Sequence, residues 1–395
     1  MTTGAVPKFE DRVVISGIGQ SAIGRRLDRS PLALTLDAVT AALDDAGIGP
    51  GDVGAITTYP GGGTSLGAGF AGPSLADVYD ALGIEVDLLL GNFEGPAQLG
   101  PVLTACLAID AGLARHVVLY RTVTEGSARA RVRDGREEPP AVEWWRRWIT
   151  PFGGGPAPIA FALLARRHFH EHGTTREQLA QIALTARRHA QSNPDAVYRE
   201  PLTMDDYLSS RMVADPLCIF DCDVHCDGAT ALVISHAEYA VDAPVPVVRI
   251  EAMGMAPPPR SEYAQHIDLQ PGRRAAAQMW HRTDLRPGNV DVAGLYDGFS
   301  ILTMLWLEAL GFCGPGESGP FVEGGDRIAL GGELPINTNG GQLSGGRLHG
   351  LAFVHEMCLQ LRGGAGNRQV ASARVGAVAV GALPYVGCML LRADA

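Results

Sequence analysis

From Asn337 to Gly350 the chain reads Asn-Thr-Asn-Gly-Gly-Gln-Leu-Ser-Gly-Gly-Arg-Leu-His-Gly, with five glycines in fourteen residues. Glycine lets a backbone turn sharply and lets another group approach it closely. Apolar residues at helical spacing follow: Leu348, Leu351, Val354, Met357, Cys358 and Leu361. A Gly-rich loop that feeds a helix N-terminus suits an anion or a developing oxyanion. The same pattern also builds a tight strand-to-helix turn with no chemistry. Gly340, Gly341, Gly345 and Gly346 are the candidate ligand-binding positions of this loop. A second group, Cys218, Cys222, His225 and Cys226, has ligating side chains. Its spacing is not that of a zinc knuckle, and no second ligand pair follows at zinc-finger distance. These cysteines read as core and strand-end thiols, and no metal site is expected.

The elements that hold the loop alternate. Val13 to Ile18 reads as a buried strand. Ser30-Pro31 opens a helix that Gly47 ends. Asp52 to Tyr59 is a strand, Leu75 to Leu82 a helix, Glu85 to Leu90 a strand. Phe93-Glu-Gly-Pro-Ala97 leads into an apolar helix that ends at Gly112, and His116 to Thr122 is a strand again. This is the rhythm of an α/β layered fold. Arg121 to Gly155 breaks it with charge, then with Trp144, Trp145, Trp148, Pro151 and Phe152; a long insertion of this kind serves as a substrate lid or a partner interface. Helices are expected over Pro158 to His172 and from a Thr174-x-x-Glu177 capping box to Gln191, and Thr203 to Asp206 can open a third. Ala229 to Ser235 is a strand, and Ala237 to Pro246 a linker.

The second half repeats the first. Gly51 to Tyr59 resembles Gly288 to Tyr296, and the helix ending at Gly112 with the strand from His116 matches the helix ending at Gly363-Gly364 with the strand from Gln369. An internal duplication about a pseudo-two-fold is expected. Residues 1–122 and 212–240 form one half, 123–211 an insertion, and 241–395 the other half.

Composition sets limits. The 395 residues are 46% hydrophobic, enough for two domains or one large one with a full core. A net charge of -11 argues against a nucleic-acid partner. Apolar runs stop well short of about 18 residues, so no membrane span is expected. The first residues lack a basic n-region and an apolar h-region, which places the protein in the cytoplasm. Seven scattered cysteines read as free thiols.

Four motifs together resemble the thiolase superfamily: Leu295-Tyr-Asp-Gly-Phe-Ser300, Gly340-Gly-Gln-Leu-Ser-Gly-Gly346, Gln360-Leu-Arg-Gly363 and the closing Gly381 to Leu391. With Asp215-Pro-Leu, Asp221-Cys-Asp and Asp227-Gly-Ala-Thr230 they are most similar to its lipid-transfer-protein-like branch, related to the sterol carrier protein X thiolase. The resemblance spans essentially the whole chain. It implies a five-layered α-β-α-β-α fold, a homodimer and an acyl-CoA ligand. The chain departs from thiolases where they keep their cysteines. Gly95 stands at the position of the nucleophile, and Pro384-Tyr385 at that of the second cysteine. Cys106 lies mid-helix facing the core, and Cys388 is downstream on a strand. The Gly-His-Pro loop of thiolases reads Gly346-Arg347-Leu348 here, with His349 next.

The chain is similar in this to the steroid side-chain-cleaving aldolases of actinobacteria. These cleave a β-hydroxyacyl-CoA by a retro-aldol reaction and work with an OB-fold, zinc-ribbon partner protein. That chemistry needs a base, an oxyanion hole and an acid, with no covalent step and no cofactor beyond the coenzyme A of the substrate. The resemblance makes Tyr296 the candidate base, with Arg347 lowering its pKa and holding the thioester oxygen. The known aldolases of this group place a second tyrosine in the loop, where this chain has Arg347. His349, at a helix start that disfavours imidazolium, is the candidate acid or a helix cap. Asp297 is expected to orient backbone or Tyr296; His225 and Asp227 read as structural. The alternatives are a thiolase-like acyltransferase or C–C ligase, and a non-catalytic acyl-CoA or lipid-binding subunit.

Overall fold

The computed structural model describes residues 8–60, 67–91, 97–137, 146–154, 156–257, 270–381 and 386–394. The strands are β1 (Val13–Gln20), β2 (Ala55–Thr58), β3 (Leu88–Gly91), β4 (His116–Thr124), β5 (Met212–Ala214), β6 (Leu217–Cys218), β7 (Asp227–His236), β8 (Val248–Ala256), β9 (Val292–Leu295), β10 (Val375–Val380) and β11 (Val386–Ala393). Nine of them form one sheet in the order β3-β2-β4-β7-β1-β8-β11-β10-β9, with β5 and β6 as a separate hairpin.

That order contains the duplication. In the first half β2 runs parallel to β4, which is antiparallel to β7, which is antiparallel to β1. In the second half β9 runs parallel to β10, β10 antiparallel to β11, and β11 antiparallel to β8. The halves meet where β1 pairs with β8, through Val14 with Arg249 and Ile15 with Val248. The helix Pro31–Ala46 packs on β1, β7 and β4 from outside, and Gly100–Asp110 packs on the same strands with a different set of core residues. The helix Gly350–Leu361 lies between the halves, on β9 and β10 of one and β7 and β1 of the other. Gln270–His281 covers β8 and β11. The layered α/β fold is therefore as the sequence implies.

Local rules explain most boundaries. Ser30 Oγ accepts from Ala33 N–H, Pro31 follows it, and Gly47 ends the helix at φ 70°. The expected box at Thr174 is displaced by one residue. Thr175 accepts from Gln178 N–H at 3.3 Å and Gln178 accepts from Thr175 N–H at 3.1 Å, while Thr174 bonds His168 Nδ1 at 2.8 Å. The reason is the long-range partner: His168 bridges on to Glu308 in the second half at 2.8 Å, and that claims Thr174. Strands β2, β3 and β10 are shorter at their N-terminal ends than the apolar runs suggest, because 3-10 turns and bends take up those residues. Among the described residues no helix is long and apolar enough to cross a membrane.

Candidate active site

The site lies where the two central helices begin, where strands β4 and β9 end and where β7 begins. Leu295 closes β9, and Tyr296 follows it, 6% exposed. Asp297, fully buried, accepts N–H from Gln342 at 2.9 Å and from Leu343 at 3.5 Å. It thereby fastens the Gly-rich loop to the end of β9. Burial pushes its carboxyl up to about 7, against the pull of the backbone donors.

The loop turns through a π-type turn over Gly341–Gly345. Gly341 has φ 55°, and a Cβ there would collide with Asp297 Oδ2. The space beside Gly340, Gly345 and Gly346 is filled by Ala190, Asn339 and Cys226 of the same chain. The close approach that these glycines permit is made by the protein itself, which is the tight-turn alternative. Gly341, Gly345 and Gly346 also line a small polar cavity with Glu356 and Arg368.

The turn delivers Arg347 and His349 to Tyr296. His349 is 2% exposed and sits before the helix Gly350–Leu361 with φ 65° and ψ -159°. That backbone region is essentially reserved for glycine and costs of order 1–3 kcal/mol for another residue, a strain found at functional sites. Its ring touches Phe70 edge-on, with centroids 5.1 Å apart. Burial holds His349 well below the usual histidine range, helped by Arg121 and Arg347, so the imidazole is neutral. Neutrality was expected from the helix terminus; burial and two guanidiniums supply it.

The hydrogen bonds have a direction. Arg347 Nε faces His349 Nε2 at 3.4 Å, and His349 Nδ1 faces Tyr296 Oη at 3.4 Å. A guanidinium only donates, so Nε2 accepts and the neutral ring carries its proton on Nδ1. Tyr296 Oη then accepts from His349. Gln98 also bonds the Tyr296 side chain and favours its phenolate. The phenol's own proton is left to point away from His349. These are long bonds, as in many substrate-free sites.

The protonation state of Tyr296 follows from what surrounds it. Burial pushes its phenol up to about 12; Arg347 pulls it down but does not win. The guanidinium is shared: Arg347 NH1 lies 3.4 Å from Asp223 Oδ1 and Nε 3.3 Å from Glu125 Oε2. Two carboxylates share its charge, and Tyr296 is a phenol at neutral pH. Asp223, by contrast, is raised to about 6, first by burial and against the pull of Arg347, and is ionised at neutral pH.

Glu125, Asp223 and Arg121 escaped the sequence reading as site residues. A signal was there: Arg121 interrupts a largely apolar strand, Glu125 follows directly after it, and a buried charge needs a reason. His225, read as structural, belongs to this cluster, with Nε2 3.2 Å from Arg347 NH1. Burial and three arginines drive it down to about 2. Asp227 is structural as expected, binding Leu27 N at 2.8 Å, Ser127 N at 2.9 Å and the Ser127 hydroxyl. Beside the cluster opens a cleft of about 350 Å³ lined by Asp223, His225, Arg25, Tyr198, Ile219 and Phe220.

Cys106 and Cys388 are buried, with thiols pushed up by desolvation, so neither stands in for a nucleophile. Cys218 and Cys226 are buried in core clusters. Among the described residues no three ligating side chains converge as a metal site. The positions expected for the thiolase cysteines, Gly95 and Pro384-Tyr385, lie outside the described residues, as do Trp144 and Trp145. Trp148 and Phe152 are 74% and 90% exposed.

Residues 260–384 match a family described as thiolase C-terminal domain-like. The chain is 32% identical over 376 residues to a steroid side-chain-cleaving aldolase of Thermomonospora curvata, covering 88% of this chain and 90% of that one. It is 34% identical over 367 residues to the 17-hydroxy-3-oxo-4-pregnene-20-carboxyl-CoA lyase of Mycobacterium tuberculosis, covering 89% and 92%. Among solved structures, the Ltp2-ChsH2(DUF35) aldolase superposes with a TM-score of 0.85 at 30% identity, over 97% of this chain and 98% of that one.

Proposed function

We propose, for this chain, which belongs to the thiolase superfamily and within it to the steroid side-chain-cleaving aldolases, the retro-aldol cleavage of a steroid β-hydroxyacyl-CoA. The enzyme is a carbon–carbon lyase. The observation that carries the mechanism is the directed chain from Arg347 through His349 to Tyr296, beside an ionised Asp223.

The steps are these. Asp223 takes the proton of the β-hydroxyl. The O–H pair becomes the new carbonyl, and the bond between the α- and β-carbons breaks. Its electron pair moves into the thioester as an enolate. Tyr296 then gives its proton to the α-carbon and leaves a shorter acyl-CoA. The phenolate so formed is stabilised by the N–H of His349 and the charge of Arg347. The phenol recovers its proton from Asp223 through solvent or the released product, and the cycle closes. No acyl-enzyme forms, and no cofactor is needed beyond the coenzyme A of the substrate. The apolar wall of Tyr198, Phe220 and Ile219 receives the steroid side of the substrate.

The enzyme works with an OB-fold partner subunit and as a homodimer. The edge supports the second point. The outer edge of β9 is covered by the segment through Ile336, where Ala293 N–H donates to Pro335 O at 3.0 Å and Asn337 N–H to Ala293 O at 2.9 Å. The outer edge of β3 has no strand on it among the described residues, and Leu89 is 45% exposed. An open edge invites pairing with a second copy.

The test is a product assay. The chain is co-expressed with its OB-fold partner and offered 17-hydroxy-3-oxo-4-pregnene-20-carboxyl-CoA. Propionyl-CoA and the 17-ketosteroid in equal amounts support the reading. An intact substrate with a folded, acyl-CoA-binding complex counts against it.

A further inference from the structure

A cation lies buried in the site with part of its donor set unpartnered among the described residues. Arg121, on β4, is 2% exposed. Its NH1 donates to Phe70 O at 2.6 Å and to Thr122 O at 3.0 Å, and its guanidinium lies 4.7 Å from the Phe70 ring centroid. Its Nε and NH2 find no hydrogen-bond partner among the described residues. Its neighbour Glu125 is turned to Arg347 instead. Leaving buried donors unsatisfied is costly, more so for a charged group. Such a group calls for a ligand or a structural reason.

Arg121 lines a narrow cavity together with Tyr59, Gln98, His349, Gly350 and Leu351. Gly350 and Leu351 are the first residues of the twelve-residue helix Gly350–Leu361, whose initial N–H groups have no partner within the helix. The dipole of that helix adds about half a positive charge at this end. At Gly350 a Cβ would sit 2.8 Å from Gln98 Cβ, so only glycine lets Gln98 close the cavity against the helix end. The cavity thus holds a buried guanidinium with donors to spare and a helix N-terminus, next to the neutral imidazole of His349. It is narrow and positively charged.

We propose that Arg121 and the N-terminus of the helix Gly350–Leu361 form the oxyanion hole of this enzyme, holding the thioester oxygen as it becomes the enolate oxygen. This rests on the cleavage reading above. In the step it serves, the electron pair of the breaking carbon–carbon bond enters the thioester, its oxygen gains negative charge, and Arg121 binds that oxygen without giving up a proton. The charge returns to carbon when Tyr296 protonates the α-carbon. Arg347 then serves Tyr296 and Asp223 rather than the thioester oxygen.

The experiment uses the full chain with its OB-fold partner and two readouts. One is cleavage of the steroid thioester. The other is the absorption of bound 4-dimethylaminocinnamoyl-CoA, which shifts to the red when its thioester carbonyl is polarised. Arg121→Gln is expected to lower kcat about 10²–10³-fold, the usual loss for one oxyanion donor. KM should stay within about threefold, as for an interaction made only in the transition state. The red shift seen with the parent protein should disappear. A folded Arg121→Gln enzyme with the parent's kcat, or with the red shift intact, overturns the assignment. Should Arg121→Gln fail to fold, Arg121→Lys decides. Its single ammonium cannot hold Phe70 O and the thioester oxygen together, so at least a tenfold loss in kcat with unchanged KM is expected. Parent-like kcat and red shift in Arg121→Lys would overturn the inference. The two readings fail separately. A parent protein that shifts the chromophore but cleaves no steroid thioester sinks the cleavage and leaves the hole standing.

Discussion

Tyr296 sits inside the protein with its oxygen already accepting hydrogen bonds, and that fixes which way its proton can go. Removing the hydroxyl leaves the ring packed against Phe353 and takes away only the acid. Tyr296→Phe is therefore expected to lower kcat by about 10²–10⁴-fold with little change in KM, the range for a general acid. Product formation by liquid chromatography of the CoA esters measures it. Asp223 gives the pH dependence. Burial raises its pKa to about 6, so it is protonated and inactive below that pH and ionised above it. The rate should rise with pH through about 6 and level off above it, because the phenol near 12 stays protonated over the accessible range. Asp223→Asn should give a low, flat profile. A parent-like rise in that variant would remove Asp223 from the base role. The sequence marked Tyr296, Arg347 and His349 through their motif, but the direction of proton flow was not readable from it. Direction depends on burial and on which carboxylates share Arg347, and Glu125 and Asp223 come from segments far from the loop in sequence.

At the scale of elements, the Gly-rich loop is a device for placing two side chains. Asp297 binds its backbone, and the turn leaves His349 in a strained conformation at the mouth of a helix. Gly341→Ala would meet both a positive φ and the Asp297 carboxylate. It should lose about 2–4 kcal/mol of stability, as for other strained or overpacked sites, measured by urea denaturation. The strain at His349 has its own test. His349→Ala and His349→Gly both lose the imidazole, but only glycine relaxes at φ 65°. The glycine variant is expected to be more stable than the alanine variant by about 1–2 kcal/mol, and both should be inactive. Equal stabilities would show that the backbone is not strained there. Caps were legible where they are local, as at Ser30 and Thr203. The Thr174 box was not, because its threonine is taken by His168 and, through it, by Glu308 on a helix of the second half.

At the scale of the molecule, the repeated strand order was legible as two echoing segments, since both halves bury the same pattern of strand and helix. The join between them was not. It includes two residue pairs between β1 and β8, the helix Gly350–Leu361 packed on strands of both halves, and Arg362, which bonds Asp45 Oδ2 at 2.7 Å and Ser16 O at 3.1 Å across the halves. The open edge of β3 predicts the assembly. The chain should run as a dimer in light scattering behind size exclusion, and Leu89→Lys should shift it toward monomer; an unaltered dimer would place the interface elsewhere. The central claim is cleavage through an enolate without a covalent enzyme intermediate. Its most direct test is a single turnover of the steroid thioester in D2O, with mass spectrometry of both the acyl-CoA and the intact protein. The account predicts propionyl-CoA carrying one deuterium at its α-carbon and a protein of unchanged mass. A protein that gains the mass of an acyl group would contradict it.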